Sequence, residues 1–180
     1  SIAVVPILIT AGKAPSFEAP DRISFRRLVQ VSPLAVVGMV FVGVVVSMLF
    51  GMGAVYGRAI GLDNTQVGYF MASITLGTLA LQYPIGRLSD RFDRRIVIFS
   101  AALVAGITIS IAGFFGADQF VLLFILMLMF GGLLFSLYSL FIAHANDYLP
   151  PSQMVAMSSG LLMVNSAGAV LGSPLAATVI

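Results

Sequence analysis

Of the 180 residues, 59% are hydrophobic and 9% charged, the formal net charge is +2, and there is no cysteine. A soluble domain carries about 25% charged residues, so this chain has too little charge to cover a water-facing surface; the missing cysteines exclude disulfides, thiolate metal sites and a cysteine nucleophile. The pI near 9.3 does not point to nucleic acid, because the basic residues fall between long apolar runs, where membrane topology accounts for them.

The chain begins with an apolar stretch, residues 1–10, that is too short to span a bilayer and lacks the basic flank of a signal peptide. It reads as the end of a preceding transmembrane helix. Residues 11–32 mix both signs of charge with Pro15 and Pro20 and are expected to form a cytoplasmic linker between two bundles, the alternative being a plain long loop. Five apolar runs follow, at 33–56, 65–85, 96–115, 120–143 and 153–180. Each meets the roughly 20 residues that a hydrocarbon core of about 30 Å demands of a helix. None shows the two-residue alternation of a membrane barrel, and a backbone in lipid must satisfy its own hydrogen bonds, so the runs are expected to be helices. The fold class is therefore an all-α, polytopic membrane bundle.

With five crossings, residues 11–32, 86–95 and 144–152 share one side. That side holds Lys13, Arg22, Arg26, Arg27, Arg87, Arg91, Arg94 and Arg95, whereas the other holds Arg58 alone. The basic side is expected to be cytoplasmic, with the protein integral to a bacterial inner membrane.

Between the second and third runs stands Gly86-Arg87-Leu88-Ser89-Asp90-Arg91-Phe92-Asp93-Arg94-Arg95. Arginines alone would meet the topology rule, but that rule does not ask for interleaved acids. Asp and Arg at this spacing can build a compact ion-pair network in which planar guanidinium groups hold carboxylates. Gly86, two residues after Pro84, is expected to let the chain leave the helix sharply.

The pattern Gly-x-Leu-Ser-Asp-Arg-x-x-Arg-Arg resembles the loop signature between the second and third helices of each six-helix half in the major facilitator superfamily. Asp93 departs from it, where the signature more often has Gly. The fifth run, with Asn165-Ser166-Ala167-Gly168-Ala169-Val170-Leu171-Gly172-Ser173-Pro174, is similar to a Gly-rich, Pro-ended helix of the same superfamily, and His144-Ala145-Asn146-Asp147 resembles bacterial efflux-type members. The resemblance implies that the runs are helices seven to eleven of twelve, a partial second six-helix half. Its partners would be a small-molecule substrate, membrane lipid and the N-terminal half of the same protein, with no cofactor and no metal. It further implies that Asp90 docks on a helix end of the other half and latches one access state, with Arg91 and Arg94 completing the network.

Polar side chains inside spans are expensive in lipid and tend to face helices or water. The second run carries Gln66, Tyr69 and Ser73 along one stripe and Thr75, Thr78 and Gln82 along another; the fourth carries Ser136, Tyr138 and Ser139, and the fifth Ser158, Ser159 and Asn165. Of these, Tyr69, Ser73, Gln82, Tyr138 and Asn165 are candidate pathway residues, with a cavity favoured for Asn165. The bland alternative for every hydroxyl is a bond back to its own helix. Gly168 and Gly172 form a small-xxx-small pair suited to close helix packing, as do Gly53 and Gly57, and Pro174 is placed to bend the last run. His144 lies at a helix end, where an interfacial residue is the simpler reading than a proton relay. No metal-ligand spacing, Ser–His–Asp arrangement or phosphate-cradling loop supports an enzyme. The expected function is secondary transport of a small, partly apolar solute by alternating access; the alternative is a transporter-like scaffold or assembly factor without transport.

Overall fold

A computed structural model describes residues 24–115 and 119–178. The expectations for residues 1–10 and for 11–23 lie outside the described residues. Six helices form: α1 (Phe25–Val31), α2 (Pro33–Ala59), α3 (Asn64–Ser89), α4 (Arg94–Phe115), α5 (Phe120–Asn146) and α6 (Pro151–Ala177). Among the described residues there is no strand.

The ends of the helices follow from local chemistry. Pro33 opens α2, where its fixed φ suits the first helical position and its missing N–H costs nothing, and the Ser32 hydroxyl accepts from the Ala35 amide at 3.3 Å. Asp63 and Gln66 start α3 with a reciprocal capping box: Asp63 Oδ1 accepts from the Gln66 amide at 2.8 Å, and Gln66 Oε1 accepts from the Asp63 amide at 3.0 Å. The α2–α3 turn needs one residue in the left-handed region, and Gly61 supplies it at φ +89°. Asp93 caps α4, its Oδ1 accepting from the Arg95 amide at 2.8 Å. Pro151 opens α6 as Pro33 opens α2.

Two expectations are corrected here. Within the 11–32 segment, expected to be irregular, residues 25–31 form the short helix α1. It is held in place because Leu28 is buried (3% exposed) and a Cβ on Gly160 of α6 would collide with its methyls, while Arg27 Nη2 donates to Gln153 Oε1 at 3.1 Å. Nor does the chain leave its helix at Gly86: α3 continues through Pro84 and Gly86 to Ser89, and the turn is confined to residues 90–93. Proline removes one helical hydrogen bond, and the remaining bonds carry the helix past it.

Side-chain contacts between α2 and α6 keep one sequence offset: Met39 meets Asn165 and Ser47 meets Ser173, each 126 residues apart. A constant offset means parallel helices in register. The α3–α5 pair is likewise parallel, with Ile74 on Gly131, Gly77 on Gly132 and Gln82 on Ser139. Glycines make both seams possible. A Cβ at Gly43 would strike the Asn165 carbonyl, one at Gly168 that of Val40, one at Gly172 that of Val44, and one at Gly77 that of Leu128. Lipid offers no hydrophobic drive for helices to associate, so such backbone-to-backbone approach is where the packing energy lies. The units α2–α3 and α5–α6 have nearly equal helix lengths of 27, 26, 27 and 27 residues. Each contributes one helix to each parallel pair, the interleaving expected of an internal repeat.

α5 is the most enclosed helix, with Leu123, Met127, Phe130, Leu133, Leu134 and Leu137 buried against its neighbours. α4 packs mainly on α5 and turns Phe99, Leu103, Ile107 and Phe114 outward. Four of these helices, α2, α4, α5 and α6, are long and apolar enough to cross a membrane. α3 has the length but is more polar; it runs parallel to α5 along a glycine seam, so it crosses wherever α5 does.

Candidate functional site

The charged residues of α3, α4 and the α5–α6 turn converge at one end of the bundle. Arg94, in the first turn of α4, is the hub, with its side chain 20% exposed. Its Nε donates to the Ser89 hydroxyl at 3.0 Å, and its Nη1 reaches both carboxylate oxygens of Asp147 at 2.8 Å. Its Nη2 lies 3.6 Å from Asp90 Oδ1, a longer and weaker contact. One guanidinium thus ties the end of α3, the start of α4 and the end of α5. A lysine could not hold these partners at once, because its charge sits on a single nitrogen. Beside it, Arg95 Nη2 donates to the Tyr148 hydroxyl at 2.8 Å, and the Tyr148 ring stands edge-on to the buried His144 at 5.3 Å.

The predicted switch residues are therefore only partly brought together. Gly86 and Arg87 lie in the last turns of α3, and Arg87 Nη1 donates to Tyr83 at 3.2 Å, one turn back on its own helix. Asp90 is the C-cap of α3, with its side chain 73% exposed. Arg91 is exposed and has no acidic partner among the described residues. The principal acid of the network, Asp147, was not among the predicted residues, nor were Ser89 and Tyr148. The available signal was topological: residues 86–95 and 144–152 share a membrane side, and the second segment holds Asp147 as its one acid.

The pathway residues separate more sharply. Ser73 is fully buried and its hydroxyl bonds back to the Phe70 carbonyl at 2.7 Å, so it faces no cavity of this bundle. Near it in sequence, Phe70 packs towards Tyr56 and Gly53 of α2, and Ile74 packs on Gly131 of α5. Asn165 also departs from the cavity expectation. Its Nδ2 donates to the Met39 carbonyl of α2 at 3.0 Å, which makes it a tie within the α2–α6 seam. Helical periodicity puts Asn165 on the same face as Gly168 and Gly172, and that face is a close crossing. Tyr138 is half-buried against the core. Tyr69 is 56% exposed, and Gln82 is exposed with Nε2 donating to the Ser139 hydroxyl at 3.2 Å. The two lie on different faces of α3, Gln82 at the edge that meets α5. Pro174 lies within α6 next to Ser173, whose hydroxyl stands 2.7 Å from that of Ser47 and whose amide donates to Ser47 Oγ at 3.2 Å. Seven further hydroxyls, among them Thr78, Thr108, Ser136, Ser159 and Ser166, bond to their own helix, as the bland alternative holds. No group of three or more His, Cys, Asp or Glu that could hold a metal occurs among the described residues.

A sequence profile of the Major Facilitator Superfamily matches residues 35–180. Among curated proteins, the chain is 32% identical over 171 residues to the uncharacterized MFS-type transporter YcaD of Escherichia coli O139:H28 (strain E24377A / ETEC). The YcaD of Escherichia coli strain K12 / DH10B matches equally, at 32% over 171 residues. Each match takes in 94% of this chain and 44% of the relative, so the chain spans less than half the length of these relatives. No solved structure matches.

Proposed function

The chain belongs to the major facilitator superfamily, and from that premise we propose that the full protein is a secondary transporter that moves a small, partly apolar solute by alternating access. The observation that carries this reading is the state of Asp90. Its carboxylate sits at the C-terminal end of α3, where the exposed carbonyls already concentrate negative charge, and its one cation among the described residues is 3.6 Å away while that cation binds Asp147 at 2.8 Å. An acid placed so poorly for its own helix is well placed to accept the N–H groups at the positive N-terminus of a helix in the other half. Docking there would hold one access state, and undocking would let the halves rock. Arg94 would keep the ends of α3, α4 and α5 together as one rigid body while the latch opens and closes.

The solute class follows from the interior of the spans, which offers hydroxyl, phenol and amide groups and no ionised side chain at mid-depth. A strongly charged solute would want an opposing charge there. Without a Walker-type loop in this segment, the energy would come from an ion or solute gradient, and a proton-carrying carboxylate would belong to the other half. In this reading the charged end is cytoplasmic and the membrane is a bacterial inner membrane.

Counterflow of a panel of small apolar and amphiphilic solutes into vesicles holding the full protein tests it. Wild type should accumulate at least one of them, and Asp90→Asn, equal in size and in inserted amount, should slow that accumulation at least tenfold. Uptake no greater than in protein-free vesicles across the panel would overturn transport in favour of the scaffold reading, and full activity in Asp90→Asn would overturn the latch.

A further inference from the structure

The last two turns of α3 carry Tyr83, Gly86, Arg87 and Asp90 at spacings of three and four, so the four share one face. With Gln82 they line an open pocket of about 510 Å³ at the charged end of the bundle. A Cβ built on Gly86 would meet nothing within 4 Å, so another backbone can approach α3 closely between Tyr83 and Asp90. Tyr83 itself is 70% exposed.

Both signs of charge line this pocket, and neither is matched. Arg87 donates to the neutral Tyr83 hydroxyl at 3.2 Å and pairs with no acid among the described residues. Asp90 has the 3.6 Å contact with Arg94 and makes no ion pair with Arg87. The two are separated by about 4.5 Å along the α3 axis, three residues at 1.5 Å each. A simple anion drawn to Arg87 would meet Asp90, and a simple cation drawn to Asp90 would meet Arg87. The occupant that fits carries a positive and a negative pole within one helical turn of each other. A helix N-terminus with Asp or Glu in its first turn is such a group. Its free N–H groups form the positive pole and its side chain the negative one, and the dipole favours an acid there.

We propose that the helix of the other half that docks on Asp90 carries a carboxylate in its first turn, and that this carboxylate pairs with Arg87 across the Gly86 notch. The inference rests on the docking proposed above for Asp90 and adds the chemistry of its partner. On docking, Arg87 turns from the Tyr83 phenol to the incoming acid and gains a charge-assisted pair, while Asp90 takes the N–H groups. Two contacts of opposite sign then fix the orientation of the helix end as well as its position.

The test uses the full protein in membranes with Tyr83 replaced by photoreactive p-benzoylphenylalanine. After illumination, peptide mass spectrometry should place adducts at the start of a helix in the other half, within about one turn of an Asp or Glu. Arg87→Glu sets like charges face to face and should lower the adduct yield about tenfold. Changing the identified acid to Arg in the Arg87→Glu protein should recover the yield to within about threefold. Adducts on lipid alone, adducts on a segment with no acid within a turn, or a yield unmoved by Arg87→Glu would each overturn the proposal. Counterflow in Asp90→Asn separates this outcome from the latch. Full-rate counterflow with the adducts and their charge-swap recovery intact would overturn the latch alone, whereas slowed counterflow with adducts insensitive to Arg87→Glu would overturn the Arg87 pairing alone.

Discussion

Substituting alanine for single glycines should produce effects of opposite sign at two positions that look alike in sequence. Gly168 and Gly68 both lie inside helices of this bundle. On helix propensity alone, Gly→Ala stabilises each by roughly 0.5–1 kcal/mol. At Gly68 nothing lies within 4 Å of the added methyl, so the gain stands. At Gly168 the methyl would collide with the Val40 carbonyl, with the carbonyl carbon and Cα of Val40 at 3.1 Å. These are backbone atoms and cannot rotate away, so α2 and α6 must separate along their seam. Overpacking of this kind costs about 1–3 kcal/mol, and moving the helices apart also lengthens the 3.0 Å Asn165–Met39 bond. The net expectation for Gly168→Ala is destabilisation by about 1–2 kcal/mol after the propensity gain. Unfolding the full protein with increasing dodecyl sulfate in mixed micelles, followed by circular dichroism, measures the difference. A Gly168→Ala variant as stable as Gly68→Ala would refute the close α2–α6 crossing and with it the parallel register.

Asn165→Ala should lower stability by roughly 0.6–2 kcal/mol, the range for interhelical hydrogen bonds in membranes, and leave solute selectivity unchanged; altered selectivity at full stability would restore the cavity reading. Asp147→Asn should destabilise the charged end and leave Arg94→Lys a smaller further loss than it has alone, since the two share one ion pair while the Ser89 bond of Arg94 is independent of it. Additive losses in that double-mutant cycle would show that Arg94 works through Asp90 instead. Cysteines introduced at 87, 91 and 148 should react with impermeant thiol reagents from the cytoplasmic face and one at 64, which is exposed, from the outer face; labelling at 91 from outside would invert the topology.

Composition and run length alone determined a good deal of this protein. Twenty or more apolar residues between charged turns can satisfy their backbone in lipid only as helices, which is why α2, α4, α5 and α6 are legible without a structure. The loop arginines give an expected orientation, because the positive-inside rule acts on local charge. The superfamily was legible too, in the ten residues from Gly86 to Arg95. Tertiary structure decided what touches what. Periodicity placed Asn165, Gly168 and Gly172 on one face but is blind to what that face meets; the contact of Asn165 with Met39, at an offset of 126 residues, brings the backbone of α2 against it. Ser73 is polar by type yet fully buried, with its hydroxyl returned to its own helix. Asp147 is 53 residues from Arg94 and is brought to it by the parallel packing of α3 and α5 and the seating of α4 on α5. A sequence records charge and hydropathy residue by residue, whereas these contacts depend on lateral pairing of helices, which glycines far from the charged end control.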